Sequence, residues 1–255
     1  MQESSDKSTL SLANGTTIAY QRSPGGKPGV IFLGGFMSDM TGAKATTLET
    51  WCRAHAQAFV RFDYSGHGAS SGQFRDGTIG GWTEEAIAVL DHLSKGPQIL
   101  VGSSMGGWIM LLVALARPER IAGLLSVACA VDFTEHMLWQ GLDATTRLQL
   151  QRDEVIYLPS EYDQEAPYPI TLKLIEEAHH HLLLERQRLG ITCPVRLLHG
   201  MRDANVPWQT SIQVAERLTS DNVRVVLVKD GEHRMSREQD LKLLTDLLGE
   251  LIAEI

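Results

Sequence analysis

Gly102, Ser104 and Gly106 form a G-x-S-x-G pattern, in which a serine hydroxyl can act as a nucleophile. The apolar run Ile99–Val101 before it is typical of a buried strand, and the apolar run Trp108–Ala116 after it is typical of a buried helix. A sharp turn between the two would hold the serine above the edge of a sheet. The N-terminus of the helix would direct partial positive charge at an oxyanion formed there. The spacing therefore predicts a nucleophile at Ser104.

A serine nucleophile needs a general base and an acid, and the residues after two later predicted strands supply both. Asp203 follows the run Pro194–Leu198, and His233 follows the run Val223–Val228. Because the carboxyl ends of parallel strands meet at one edge of a sheet, we expect both side chains beside Ser104. A neutral His233 could take the proton of the serine, while Asp203 would hold the other ring nitrogen and fix its tautomer.

Asp132 is a rival for the role of the acid, because it also follows a predicted strand, Ile121–Ala128. It opens an inserted segment and has no turn motif behind it, so Asp203 is favoured. Exchange of Asp203 for asparagine separates the two assignments, since near-normal activity in that variant would move the role to Asp132.

Stabilising an oxyanion requires two backbone N–H groups near the serine. Met105, the residue after the nucleophile, is expected to supply the first. The loop Gly34–Phe36 follows the predicted strand Gly29–Leu33, and the N–H of Phe36 is expected to supply the second.

Other residues that could do chemistry are assigned simpler roles. The side chains of His179–His181 cannot all bind one ion, because consecutive helical residues diverge by roughly 100° each. We therefore expect no metal site, and the proposed chemistry needs no cofactor. His67 is expected to be structural or to line the pocket, and His199 is expected to be structural. Trp139, in the inserted segment, is the expected contact for an acyl chain.

Predicted strands and helices alternate along most of the chain, which is typical of a mostly parallel sheet with helices on both faces. The alternation breaks at about residue 132, gives way to a mainly helical stretch, and resumes after about residue 190. We therefore predict an α/β fold. Residues 1–131 would form the first part of its core, 132–190 a small helical cap and 191–255 the second part of the core.

Composition excludes several classes of protein. The chain has 255 residues and a formal net charge of −8, which disfavours a nucleic-acid partner. Its longest apolar runs are too short to cross a bilayer, and the first seven residues lack the apolar core of a signal peptide. Three scattered cysteines, Cys52, Cys129 and Cys193, fit a reducing compartment. These features predict a cytoplasmic protein with a small-molecule substrate, and they leave the oligomeric state open.

A family resemblance is carried by the segments Phe62–Gly66, Gly96–Trp108, Leu197–Asp203, Val206–Trp208 and His233–Met235. They are similar to the α/β-hydrolase-domain family of mitochondrial palmitoyl-protein thioesterases, also described as mycophenolic-acid acyl-glucuronide esterases. The similarity runs from about Ile18 to the final helix. It implies an α/β-hydrolase fold, with the serine, aspartate and histidine of the family falling on Ser104, Asp203 and His233. It also implies an esterase or thioesterase that acts on acyl chains or acyl glucuronides.

The sequence thus predicts a serine hydrolase that cleaves carboxylic esters or thioesters through an acyl-enzyme on Ser104. One alternative keeps the same three residues but changes the bond, as in a carbon–carbon bond hydrolase or an acyltransferase of the same fold. A second alternative is a non-catalytic receptor for small molecules. A panel of p-nitrophenyl esters separates the first alternative from the prediction, and ligand binding without turnover would support the second.

Overall fold

An eight-stranded sheet runs through the molecule. The computed structural model describes residues 8–159 and 167–255. The strands of the sheet are β1 (Ser8–Ser11), β2 (Thr17–Ser23), β3 (Gly26–Leu33), β4 (Gln57–Phe62), β5 (Gln98–Ser103), β6 (Ile121–Val127), β9 (Val195–Gly200) and β10 (Val223–Val228). The strand order is β1-β2-β4-β3-β5-β6-β9-β10. Strand β2 is antiparallel to β1 and β4, and the pairs from β4 to β10 are parallel. The mostly parallel sheet is confirmed.

Helices cover both faces of this sheet. They are α1 (Ala43–Ala54), α2 (Ile79–Leu93), α3 (Met105–Ala116), α4 (Ala144–Asp153), α5 (Leu172–Ala178), α6 (Gln209–Arg217) and α7 (Glu238–Glu254). Helices α1 and α7 pack their apolar side chains on one face, and α2, α3 and α6 pack theirs on the other. Among the helices of the described residues, none combines the length and the apolar character needed to cross a membrane.

Strand β3 shows how the sequence produces two cores. Val30 and Phe32 point into the core under α1 and α7, whereas Ile31 and Leu33 point into the core under α2 and α3. Successive side chains of a strand alternate between faces, so a strand covered on both sides reads as a continuous apolar run. Each such side chain contributes roughly 1.5–3 kcal/mol when it is fully buried. This burial fixes β3 and the loop that follows it.

The segment between β6 and β9 contains the residues predicted as a cap. It comprises a π-helical turn (Thr134–Trp139), α4, the strands β7 (Val155–Leu158) and β8 (Tyr168–Thr171), α5 and a 3₁₀ turn (His179–His181). Among its described residues, β7 and β8 form an antiparallel pair that the sequence analysis did not predict. Four buried residues, Leu150, Ile156, Ile170 and Ile175, give this segment an apolar cluster of its own.

Asp132 joins the two ends of this segment. It lies just after β6 with a backbone φ of 56°, and it is fully buried. Its carboxylate accepts hydrogen bonds from the backbone N–H of Leu183, at 2.9 Å, and of Leu184, at 2.7 Å. Burial raises the pKa of this carboxyl group, and the two N–H donors oppose that effect. Hydrogen bonds to one carboxylate therefore hold the start of the segment against its end.

Candidate active site

Ser104 occupies the sharp turn between β5 and α3. Its φ of 54° and ψ of −119° lie in a sparsely populated region of backbone space for a residue with a Cβ atom. Backbone hydrogen bonds connect this turn to β6 and to the residues that follow it. The N–H of Ser104 donates to Val127 O at 2.9 Å, and the Ser104 carbonyl accepts from Ala130 N at 3.1 Å. The serine hydroxyl is thereby presented at the carboxyl edge of the sheet.

Two glycines allow this turn to close. A Cβ atom on Gly102 would collide with the carbonyl of Gly106, and a Cβ atom on Gly106 would collide with the carbonyls of Leu33 and Gly34. These neighbours are backbone atoms that cannot move aside. The G-x-S-x-G pattern is therefore a steric requirement for packing α3 against β5 and β3.

His233 lies in the loop after β10 and contacts both of its predicted partners. Its Nε2 atom lies 3.1 Å from Ser104 Oγ, and its Nδ1 atom lies 2.7 Å from Asp203 Oδ2. The side chain of His233 is 16% exposed, so substrate can reach it. With the proton on Nδ1, the imidazole donates to the carboxylate and can accept the hydroxyl proton of the serine.

Helix α1 tethers the loop that carries His233. The Lys44 ammonium group donates to Arg234 O at 2.6 Å, immediately after the histidine. Burial, followed by the positive charge of Arg234, lowers the pKa of Lys44 to about 8. The tether fixes the backbone at the position where His233 begins its reach toward Ser104.

The Asp203 carboxylate is fully buried and has four donors. Oδ1 accepts from the backbone N–H of Asn205, at 2.9 Å, and of Val206, at 2.8 Å. Oδ2 accepts from His233 and from His199, at 2.7 and 3.1 Å. Burial by itself would raise the pKa of Asp203. The hydrogen bonds from the two histidines and Val206, with the nearby charge of His233, instead hold that pKa well below its usual range.

His199 is the residue whose contact with the site the sequence analysis missed. We expected a structural role for it, yet its Nε2 atom touches the same carboxylate oxygen as His233. One sequence signal was available, since His199 lies near the end of the strand that leads directly to Asp203. The rival acid Asp132 lies elsewhere in the hydrogen-bond network, where its partners are the N–H groups of Leu183 and Leu184.

A cavity of about 350 Å³ opens beside Ser104 and His233. Much of its wall is apolar and includes Phe36, Phe133, Met137, Leu138, Tyr168 and Ile170. Five of these residues lie between β6 and β9, so the inserted segment forms a large part of the wall. The cavity can therefore hold an apolar group next to the serine hydroxyl.

Phe36 and Met105, whose amides we predicted to bind an oxyanion, both line this cavity together with Ser104. Met105 is the first residue of α3, and the first N–H groups of a helix have no carbonyl partner within the helix. The loop before Phe36 runs directly against the nucleophile, because a Cβ atom on Gly35 would lie 3.4 Å from Ser104 Cβ. The Phe36 ring packs edge-on against Phe74, with 4.8 Å between ring centroids.

Trp139, the predicted acyl contact, lies outside the cavity wall. Its ring packs in the apolar cluster of the inserted segment and carries the Arg147 guanidinium group 5.1 Å from its centroid. The preceding residue, Leu138, lines the cavity instead. Both residues belong to the π-helical turn Thr134–Trp139, and they face different surroundings.

The remaining histidines form separate contacts. His179 Nε2 lies 2.7 Å from Glu135 Oε2, and His181 Nε2 lies 2.6 Å from Glu177 Oε1. Over residues 8–159 and 167–255, no group of three histidine, cysteine, aspartate or glutamate side chains is placed to hold a metal ion. His67 is buried in an aromatic cluster, and that burial lowers its pKa to about 4, although the hydrogen bond to Ser65 O opposes the shift.

Comparison with known proteins identifies relatives over nearly the whole chain. Residues 30–240 match the Hydrolase_4 family, described as serine aminopeptidase, S33. The mouse protein named palmitoyl-protein thioesterase ABHD10, mitochondrial, is 43% identical over 252 residues, which cover 98% of this chain and 84% of the mouse protein. The human protein of the same name is 41% identical over 252 residues, 98% of this chain and 82% of its own length.

The likeness extends to three dimensions. The structure of alpha/beta hydrolase domain-containing protein 10 from mouse superposes with a TM-score of 0.91 at 42% identity and covers 98% of this chain and 99% of that one. The relatives also correct one prediction. The cytoplasmic location inferred from composition is wrong, because the mammalian relatives are named as mitochondrial proteins. The chain belongs to the Hydrolase_4 family and, within it, to the ABHD10 family of α/β-hydrolase-fold serine hydrolases, which are enzymes of the ester and thioester class.

Proposed function

We propose that this protein hydrolyses acyl thioesters and carboxylic esters with an apolar acyl group, using Ser104 as nucleophile, His233 as base and Asp203 as acid. The observation that carries the proposal is the continuous chain of contacts from Asp203 Oδ2 to His233 Nδ1, at 2.7 Å, and from His233 Nε2 to Ser104 Oγ, at 3.1 Å. Such a chain converts a weakly nucleophilic hydroxyl into one that can attack a carbonyl carbon.

In the first half of the reaction, Ser104 Oγ forms a bond to the carbonyl carbon of the substrate. The hydroxyl proton passes to His233 Nε2, and Asp203 stabilises the resulting imidazolium ion. The carbonyl oxygen becomes an oxyanion, and we assign its binding to the N–H groups of Phe36 and Met105. The bond to the thiol or alcohol then breaks, and His233 returns the proton to that leaving group.

In the second half, a water molecule attacks the acyl group on Ser104. His233 takes a proton from the water, a second oxyanion forms in the same position, and the bond between Ser104 and the acyl group breaks. The carboxylic acid leaves, and the proton returns to Ser104 Oγ through His233. The same histidine therefore serves both halves, and the reaction needs no group beyond this chain and water.

The apolar wall of the cavity supports an acyl chain as the part of the substrate that this protein holds. The relatives in mouse and human are named palmitoyl-protein thioesterases, which agrees with a long aliphatic chain. We propose that residues 132–190 act as a cap, because they contribute Phe133, Met137, Leu138, Tyr168 and Ile170 to the wall. Leu138 takes the place of Trp139 as the proposed contact for the chain.

The proposal is tested by covalent labelling with a fluorophosphonate, which reacts with activated serine hydroxyl groups. The wild-type protein should be labelled, and Ser104→Ala should not be. Ser103→Ala is a matched control, because Ser103 is the neighbouring serine and belongs to β5 rather than to the turn. Labelling that persists in Ser104→Ala would overturn the proposal. Steady-state hydrolysis of p-nitrophenyl esters and acyl thioesters of rising chain length then defines the substrate class.

A further inference from the structure

His199 lies in the core between Ser211 of α6 and the carboxylate of Asp203. Its Nδ1 atom is 2.7 Å from Ser211 Oγ, and its Nε2 atom is 3.1 Å from both Asp203 Oδ2 and Val206 O. His199 and Ser211 are both completely buried, and so is the Asp203 side chain. Because both ring nitrogens of this buried histidine are hydrogen-bonded, its orientation is fixed. One of these hydrogen bonds goes to Asp203, the proposed acid of the active site.

The partners of His199 determine which of its nitrogens carries the proton. Asp203 Oδ2 and Val206 O can only accept hydrogen bonds, so Nε2 must be the protonated nitrogen. The Ser211 hydroxyl group can then donate to the lone pair of Nδ1. Donation therefore runs in one direction, from Ser211 to His199 and from His199 to Asp203.

We propose that His199 is a positioning residue for the hydrolysis, because its Nε2–H shares Asp203 Oδ2 with His233 and fixes both the orientation and the basicity of that carboxylate. The inference rests on the proposed roles of Ser104, Asp203 and His233. Two backbone N–H groups hold Oδ1, so His199 completes a set of four donors that prevents the carboxylate from rotating.

The second donor on Oδ2 also tunes the base. A hydrogen bond to a carboxylate stabilises its charged form, so the negative charge that faces His233 is partly compensated by His199. Without that donor, Asp203 would attract the imidazolium form of His233 more strongly. The neutral form of His233, which accepts the serine proton, would then be disfavoured relative to the imidazolium form. The low pKa of Asp203 is in keeping with this sharing.

The experiment compares variants of the full-length protein that keep or remove the donor at the Nε2 position. His199→Phe and His199→Met cannot donate, whereas His199→Gln carries an N–H donor at nearly the same distance from the backbone. His67→Phe is a matched control, because His67 is also a buried histidine but its described Nδ1 contact is Ser65 O rather than Asp203. The measurement is kcat and KM for a p-nitrophenyl ester as a function of pH, with active sites counted by fluorophosphonate labelling.

We expect the two non-donor variants to lose about ten- to a hundredfold in kcat with little change in KM. We expect the midpoint of the acidic limb of kcat/KM to rise by about half to one pH unit. His199→Gln should restore the wild-type midpoint and most of kcat, and His67→Phe should keep the wild-type midpoint. The midpoint is the decisive quantity, because counting active sites at each pH removes the contribution of unfolded molecules.

A midpoint that stays at the wild-type value in both non-donor variants would overturn the proposal and leave His199 as a core residue only. The same conclusion would follow if His199→Gln resembled His199→Phe rather than the wild type. Failure of the proposed active site is a separate outcome, since it appears as labelling that survives in Ser104→Ala. If His199→Phe does not fold, the comparison of His199→Met with His199→Gln decides the question, because methionine adapts its shape to an irregular site.

Discussion

Replacing Asp203 by asparagine keeps the shape of the side chain but changes what it can offer to its four donors. The backbone N–H groups of Asn205 and Val206 would select the amide oxygen at the position of Oδ1. The amide nitrogen would then occupy the position of Oδ2, where it faces His199 Nε2 and His233 Nδ1. An N–H donor would meet two nitrogens that are both protonated in the native arrangement.

His233 can relieve this conflict by changing its tautomer. With the proton removed from Nδ1, that nitrogen accepts from the amide, and the proton moves to Nε2. Nε2 lies 3.1 Å from Ser104 Oγ, so the serine would then face a donor instead of a base. The corresponding exchange in a serine protease lowers kcat by about 10⁴, which corresponds to about 5 kcal/mol. We expect a loss of that order here, with KM nearly unchanged because the apolar cavity is not altered.

The assay is steady-state hydrolysis of a p-nitrophenyl ester, together with thermal unfolding to show that the variant folds. Asp132→Asn is the matched control, since Asp132 is the rival acid and is also buried at the carboxyl edge of the sheet. It should lose about 1–3 kcal/mol of stability through weakened acceptance from Leu183 and Leu184, while the kcat per folded molecule stays near the wild-type value. If Asp203→Asn kept more than about a tenth of kcat, or if Asp132→Asn lost as much, the assignment of the acid would be refuted.

Two further predictions concern groups outside the catalytic set. The pKa of His67 is lowered from its ordinary 6.5 to about 4 in the folded protein. Between these pH values, His67 is protonated in the unfolded chain and neutral in the folded chain. The free energy of unfolding should thus fall by up to about 3 kcal/mol as the pH drops from 6.5 to 4. His67→Phe should flatten that part of a urea-unfolding series, and an unchanged slope would contradict this account. Leu138→Ala should raise KM for long-chain esters several-fold but not for acetate esters. Trp139→Ala should lower stability without changing how KM depends on chain length. Equal effects of the two variants on KM would contradict this assignment, because they would place both side chains at the substrate.

Periodicity predicts the sheet from the sequence, and the G-x-S-x-G motif together with the positions of polar residues after strands predicts the three proposed catalytic residues. Apolar runs separated by helical patterns define parallel strands, and the carboxyl ends of parallel strands meet at one edge. Polar residues that directly follow those runs are therefore neighbours in space. Ser104, Asp203 and His233 obey this rule, and the structure brings their side chains into contact.

The remaining features depend on loop geometry that periodicity does not encode. The turn after β9 folds back so that Asp203 reaches His199 in the strand it has just left, and the position of His199 near the strand end is the one sequence signal of this return. Within the π-helical turn, Leu138 rather than Trp139 lines the cavity, and residue type alone does not distinguish the two positions. The prediction of a cytoplasmic location was wrong for a different reason. Cysteine usage indicates redox conditions but does not identify the compartment in which a protein lies.

The bond network at Asp132 has a consequence for how this scaffold can diversify. The two ends of the inserted segment meet at one carboxylate, although Asp132 and Leu183 are 51 positions apart in the sequence. The entropic cost of closing such a loop grows only slowly with its length, so residues inserted or removed within the segment would add little strain to the sheet. Ser104, Asp203 and His233 all lie outside the segment. The molecule is thus divided into a constant part that performs the proposed chemistry and an inserted part, whose two ends meet at Asp132, in which substrate preference can change.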